Sequence, residues 1–112
     1  TWDLEVAVAV DDTPVGSASY RDLYWTVAQQ IAHLTHGGAR LRVGDLLGSG
    51  TISSDRPDGA GSLLEATGGT RYLTDGSVVT LTGVCEDGAV RIGFGECTAV
   101  VQPAPPLEGA TA

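Results

Sequence analysis

Residues 77–101 read SVVTLTGVCEDGAVRIGFGECTAVV, and this stretch decides the fold. Before Asp87-Gly88 the chain is rich in Val, Leu and Thr, the residue types that suit a pleated, half-buried surface. Asp-Gly between two such runs is a hairpin signal. Val90, Ile92 and Phe94 then fall on one face of the return strand and Arg91 on the other, and Glu96 to Val101 continue it. With the turn at Asp87-Gly88, Cys85 is set opposite Val90 and Cys97 several residues along. The two sulfurs therefore do not meet. Free thiols and a reducing compartment are expected, with both cysteines acting as small buried hydrophobes.

Working outward, WDLEVAVAV (2–10) alternates Trp2, Leu4, Val6, Val8 and Val10 against Asp3 and Glu5, a half-buried strand. Asp11-Asp12-Thr13-Pro14 with Gly16 is read as a turn. One segment has helical character. Thr26 with Gln29 forms a capping-box pattern, Val27, Ala28, Ile31, Ala32 and Leu34 follow, and Gly37-Gly38 is a left-handed stop. Tyr24 and Trp25 precede this cap and are expected to staple the helix to the sheet. Gly44-Asp45 marks a turn, and Leu46-Leu47 is read as the start of a short buried strand. SSDRPDGAG (53–61) is an exposed loop. Ser62 to Thr67 is an element of undecided type, broken by Gly68-Gly69, and Asp75-Gly76 turns the chain into the hairpin. Residues 104–112 are a Pro-rich tail. The fold class is therefore mainly β: a sandwich or rolled sheet with one covering helix over about residues 25–36.

Composition sets the bounds. The 112 residues are enough for one small domain, and 42% hydrophobic with 18% charged suits a folded chain. The net charge is -8 and all 6 basic residues are Arg, so no basic stripe exists for a phosphate backbone, and nucleic acid is excluded as a partner. No apolar run is long enough to span a bilayer. The chain opens Thr1-Trp2-Asp3 and holds no methionine, so it is read as a fragment, a processed chain or a truncation. A missing signal peptide then excludes nothing.

Few residues carry chemistry on their own evidence. His33 and His36 are three apart on the helix, but a metal site needs further ligands, and His36 in the last turn suits the helix dipole. Gly48-Ser49-Gly50-Thr51-Ile52-Ser53 is a glycine-rich loop. Its backbone N–H groups can approach an anion and Thr51 adds a hydroxyl donor. It lacks the Gly-Lys-Ser/Thr ending of a nucleotide-binding loop, and on composition alone a plain turn is the better reading. Glu65 stands among small and apolar residues, where a carboxylate can orient a histidine base or simply face water.

Taken together, YWT (24–26) with AQQIAH (28–33), LRVGDLLGSGTIS (41–53), GSLLE (61–65), YLTDG (72–76) and RIGFGEC (91–97) resemble the fumarylacetoacetase (fumarylacetoacetate hydrolase) family, in the family's order over about residues 20–103. The resemblance implies the C-terminal part of the catalytic domain over residues 1–103, a mixed β-sandwich roll working as a cytoplasmic homodimer. It implies hydrolysis of a carbon–carbon bond in a β-diketone, fumarylacetoacetate giving fumarate and acetoacetate in tyrosine and phenylalanine breakdown. It implies Ca²⁺ or Mg²⁺ as cofactor, with the metal ligands, the base histidine and most substrate-gripping residues in an N-terminal half absent from this chain. By the same resemblance Glu65 pairs with the catalytic histidine, and Thr51, with Gly50 beside it, contacts the substrate's carboxylate end. His33 matches a recurrent histidine. Ser19 stands where the family usually has Asn, Ala66-Thr67-Gly68 replaces a more usual Leu-Ser/Thr-Trp, and the segment between Thr67 and Arg71 is short. Two other functions are weighed: a non-catalytic β module binding a carboxylate ligand or a partner, and a related acylpyruvate or β-diketone hydrolase; the GTIS (50–53) motif argues against the acylpyruvate branch.

Overall fold

The computed structural model of the chain describes residues 2–106, so part of the Pro-rich tail, 107–112, lies outside the described residues. Strands β1 (Leu4–Val10), β2 (Thr13–Ser19), β3 (Val78–Asp87) and β4 (Val90–Val100) form one antiparallel sheet in the order β2-β1-β3-β4. A single 3-10 turn, Tyr20–Asp22, follows β2, and helices α1 (Val27–His36) and α2 (Leu63–Thr67) lie in the long connection to β3. The mainly-β reading holds. Among the described residues it takes the form of one layer with antiparallel pairings throughout.

The deciding hairpin folds as read, with its turn one residue further on. Asp87 pairs with Val90, leaving Gly88-Ala89 as the two-residue loop, and Gly88 has φ +53°. Glycine with positive φ at the first loop position is the demand of a type II′ hairpin. Cys85 therefore faces Ile92, not Val90, and Cys97 pairs with Leu81. Both thiols are free, as expected, but neither is fully buried: Cys85 is half-buried and Cys97 is exposed. Between Thr82 and Val84 the pairing shifts, because Phe94-Gly95 on β4 places an extra residue against Gly83. Gly95 has φ +77°, so this glycine of GFGE (93–96) serves a bulge that adds twist to the strand.

β2 is a departure from the sequence reading. Asp11 and Asp12 alone make the turn, at φ +50° and +61°, and Thr13-Pro14 already belong to the strand. Asp tolerates this left-handed geometry through its short polar side chain. Asp11 earns its place further by accepting from the Val78 N–H at 2.8 Å through Oδ1. Pro14 is tolerated because β2 is an edge strand, and a register shift between Val8 and Ala9 absorbs it.

α1 begins as read: Thr26 accepts from Gln29 N, and the Gln29 side chain returns to Thr26 N at 2.9 Å. Two expectations around it are corrected. Tyr24 and Trp25 do not staple the helix to the sheet; they pack edge to face on each other at 4.7 Å, and Tyr24 is 81% exposed. α1 accordingly does not cover the sheet. It faces Leu46 and Leu47 across an open depression that Leu23 and Trp25 also line. Leu46-Leu47 is not a buried strand either, since Leu46 is 98% exposed and the segment pairs with no strand among the described residues. An extended segment becomes a strand only where a neighbour takes up its backbone N–H and C=O groups, and none is within reach here.

α2 resolves the undecided element. Ser62 caps it by accepting from Glu65 N, and Gly68 in the left-handed region ends it. The 53–61 loop before it is tied to β2: Ser17 N–H donates to Asp58 O and the Ser17 hydroxyl to Asp58 Oδ2, each at 2.8 Å. Arg56 reaches Glu5 on β1 at 3.0 Å.

The sheet has a polar face and an apolar face. Thr80 and Thr98 bond across the first at 3.2 Å. Leu4, Val6, Val8, Val10, Val79 and Leu81 share the second with Ile92 and Phe94. α2 and Leu73 screen only the Val8–Val10 end. At the other end Ile92 and Phe94 are 59% and 67% exposed, and Ala18 is the one apolar side chain buried among the described residues. The radius of gyration, 17.7 Å, exceeds the ~13 Å of a compact domain of this length.

Two outcomes follow from this architecture. A face this apolar and open should make the isolated chain associate; sedimentation velocity should show mass rising with concentration, and a monodisperse monomer at all concentrations would contradict the openness of the face. The second concerns acid. The Ser17 hydroxyl, with a backbone N–H and Arg56, holds the Asp58 carboxyl below its ordinary range. A folded-state pKa below the unfolded one gives stability that is present above the ordinary carboxylate range and is lost as pH falls through the lowered value. Melting curves from neutral to acid pH should therefore show a smaller acid-side loss for Asp58→Asn than for the wild type.

Candidate functional site

Glu65 is the third residue of α2, the position from which a glutamate usually reaches back to the cap residue's N–H. It reaches one residue further. Glu65 Oε2 accepts from Gly61 N–H at 3.0 Å and from the Ser53 hydroxyl at 2.6 Å. Ser53 in turn accepts from Gly61 N–H at 3.2 Å. The closed set of three groups joins the end of GTIS (50–53) to the start of α2. The short O–H···O distance is that of a hydroxyl donating to an ionised carboxylate.

Close backbone approach makes this possible. A Cβ on Gly61 would lie 2.2 Å from Ile52 O, and one on Gly59 would lie 2.2 Å from Ser54 O. Real Cβ atoms do not come so close, so only glycine lets the two sides of the loop meet. Ser54 N–H closes the loop onto Gly59 O at 2.8 Å. The Ser54 hydroxyl donates to Asp22 and accepts from Ser19 N–H, so adjacent serines point apart, one to α2 and one to the end of β2.

Thr51 and Gly50 precede this junction. Gly50 has φ +81° with open space where a Cβ would be, so conformation and not crowding calls for glycine there. The Thr51 side chain is exposed, and its hydroxyl bonds to no described residue, which leaves it available to a ligand. Glu65 is exposed as well. Thr51, Gly50 and Glu65 thus belong to one loop–helix unit, linked through Ser53. Ser53 closes the GTIS motif, and the sequence alone assigns it no role. Its signal was the S-x₁₁-E spacing, which means nothing until Gly59 and Gly61 fold the intervening loop back.

His33 and His36 lie on the last turn of α1, and His33 lines the depression together with Leu34, Leu46, Gly48 and Ser49, where the glycine-rich loop begins. Among the described residues no three of His, Cys, Asp and Glu gather, so these residues do not fit a divalent-metal site. No helix among them is long and apolar enough to cross a membrane. Arg91 pairs loosely with Glu86 across the hairpin at 3.8 Å, as expected for the exposed side of a strand.

Residues 1–102 match the family model described as fumarylacetoacetate (FAA) hydrolase C-terminal. The fumarylacetoacetase of Arabidopsis thaliana is 44% identical over 107 residues, covering 86% of this chain and 25% of that protein. Those of Caenorhabditis elegans and Homo sapiens are 42% and 38% identical over 122 residues, covering 92% and 93% of this chain and 29% of each relative. The chain thus spans between a quarter and a third of the length of the curated relatives it matches. The 122-residue alignments are longer than the chain, so these relatives carry residues with no counterpart here.

Proposed function

The chain belongs to the fumarylacetoacetate hydrolase family, in its C-terminal part, and on that premise we propose that it forms one wall of the active site of a hydrolase. The reaction we assign is cleavage of a carbon–carbon bond in fumarylacetoacetate, giving fumarate and acetoacetate. The observation that supports this reading is the Ser53–Glu65 junction, which holds a carboxylate against the end of the loop that carries the exposed Thr51 hydroxyl. In this role Glu65 holds a histidine base in the tautomer and orientation that can take a proton from water. Thr51 donates its hydroxyl, and the backbone beside Gly50 its N–H, to the carboxylate end of the substrate. The histidine comes from outside this chain.

The Ca²⁺ or Mg²⁺ that we assign to the reaction is likewise held outside this chain, since the described residues do not fit it. The apolar face that β3 and β4 leave open is covered, in this reading, by the N-terminal part of the same protein, and the assembled enzyme is a cytoplasmic homodimer.

The assay is loss of fumarylacetoacetate absorbance by the whole protein that carries this chain, with Mg²⁺ or Ca²⁺ added. Glu65→Gln keeps the shape and removes the charge. It should lower kcat by about 100-fold or more with the melting temperature retained, as expected for the partner of a general base. Unchanged kcat would remove Glu65 from the mechanism. Thr51→Val should act differently, raising KM by about tenfold with kcat nearly constant, the signature of a contact made equally in ground and transition states. A loss confined to kcat would place Thr51 at the reacting centre instead.

A further inference from the structure

We infer that Ser53 is the positioning residue for Glu65: it fixes one carboxylate oxygen so that the other is presented to a basic partner. The inference rests on the reading of Glu65 above.

Glu65 sits on the first turn of a five-residue helix and is exposed, so nothing in its packing limits its side-chain torsions. Hydrogen bonds must do so. Both donors land on the same oxygen, Oε2, with Ser53 Oγ at 2.6 Å and Gly61 N at 3.0 Å. Oε1 receives no hydrogen bond from the described residues. An ionised carboxylate has about four acceptor sites, and here those of one oxygen are taken while those of the other stay open in a fixed direction.

The serine hydroxyl is itself fixed. It accepts from Gly61 N–H at 3.2 Å, and its single proton goes to Glu65. Gly61 N–H, a backbone group, contacts both partners, but alone it would let the carboxylate pivot about a single contact. Ser53 supplies the second point that defines a direction. Loop anchoring does not need Ser53, because Ser54, Asp58 and Arg56 already tie the 53–61 loop to the sheet and the turn after it.

The test uses the whole protein that carries this chain, with fumarylacetoacetate as substrate and Mg²⁺ or Ca²⁺ present, and four variants: Ser53→Ala, Ser53→Thr, Glu65→Gln and the double variant with Ser53→Ala. Ser53→Ala should lower kcat about tenfold, the scale of one hydrogen bond to a charged group, with KM changed less than about twofold. Its melting temperature should move by no more than about 2 °C. Ser53→Thr, which keeps the hydroxyl, should restore most of kcat. In the Glu65→Gln background Ser53→Ala should cost nothing further, because a residue that acts only through Glu65 has no effect once Glu65 is disabled. The same tenfold loss in that background would overturn the inference, and so would unchanged kcat in Ser53→Ala beside a large loss in Glu65→Gln. Unchanged kcat in Glu65→Gln itself would defeat the reading of Glu65 and the inference with it. If Ser53→Ala fails to fold, Ser53→Cys keeps the volume with a much weaker donor; full kcat in that variant would also overturn the inference.

Discussion

The close approach of backbone at Gly59 and Gly61 is the constraint on which the rest of this structure depends. A loop of nine residues folds back until its two sides exchange the Ser54–Gly59 hydrogen bond. Only then do Ser53 and Ser54 stand side by side with their hydroxyls diverging. One reaches Glu65 on α2; the other reaches Asp22 and the end of β2. Gly16 extends the same logic to the sheet, since a Cβ there would lie 2.7 Å from Ala60 O. Small residues at 16, 59 and 61 let strand, loop and helix touch through backbone, where side-chain packing would hold them apart. Polar pairing thus substitutes for the apolar core that this region lacks.

That substitution explains why the fold and the site were legible to different depths. The hairpin of β3 and β4, the strand β1 and the capping of α1 are set by local chemistry: alternation, a Gly turn, a Thr-Gln box. Those features could be read from a few neighbouring residues. β2 was hidden because Pro14 and Gly16 look like punctuation, and only its edge position and the register shift beside Val8 make them acceptable in a strand. The hairpin turn falls one residue later than the sequence suggests, because Asp87-Gly88 matches the commoner type I′ pattern while Gly88-Ala89 satisfies the type II′ demand. Leu46 and Leu47 misled in the opposite sense. Their apolar character suggests burial within this chain, yet they line the open depression beside α1 and stay exposed.

The site was legible only through resemblance. Nothing in the spacing of Gly50, Thr51 and Glu65 distinguishes a ligand loop and its carboxylate from an ordinary turn and a solvated charge. Motifs shared with a known family singled them out, and geometry then added what no motif carries. The link between Thr51 and Glu65 runs through Ser53, and the hydrogen bonds on Glu65 converge on one oxygen. Such a link is invisible in sequence because Ser53 and Glu65 lie twelve positions apart and meet only after the loop closes.

The same separation between local and long-range determinants accounts for the open apolar face. Strand alternation places Leu4, Val6 and Val8 beside Leu81 and Phe94 whether or not anything lies above them. α2 covers only one end, held there by its short connection to the loop. A layer of this kind is half of a core, and by itself it removes little apolar surface from water. Ordering a loop and a glutamate by hydrogen bonds is affordable in such a layer because those bonds are local and satisfied. Covering the sheet is not local, and it requires residues beyond those that build the loop, the helix and the hairpin. The precision of the Glu65 junction and the openness of the sheet are therefore compatible: the first depends on backbone contacts completed within this chain, the second on a second layer that no element among the described residues provides.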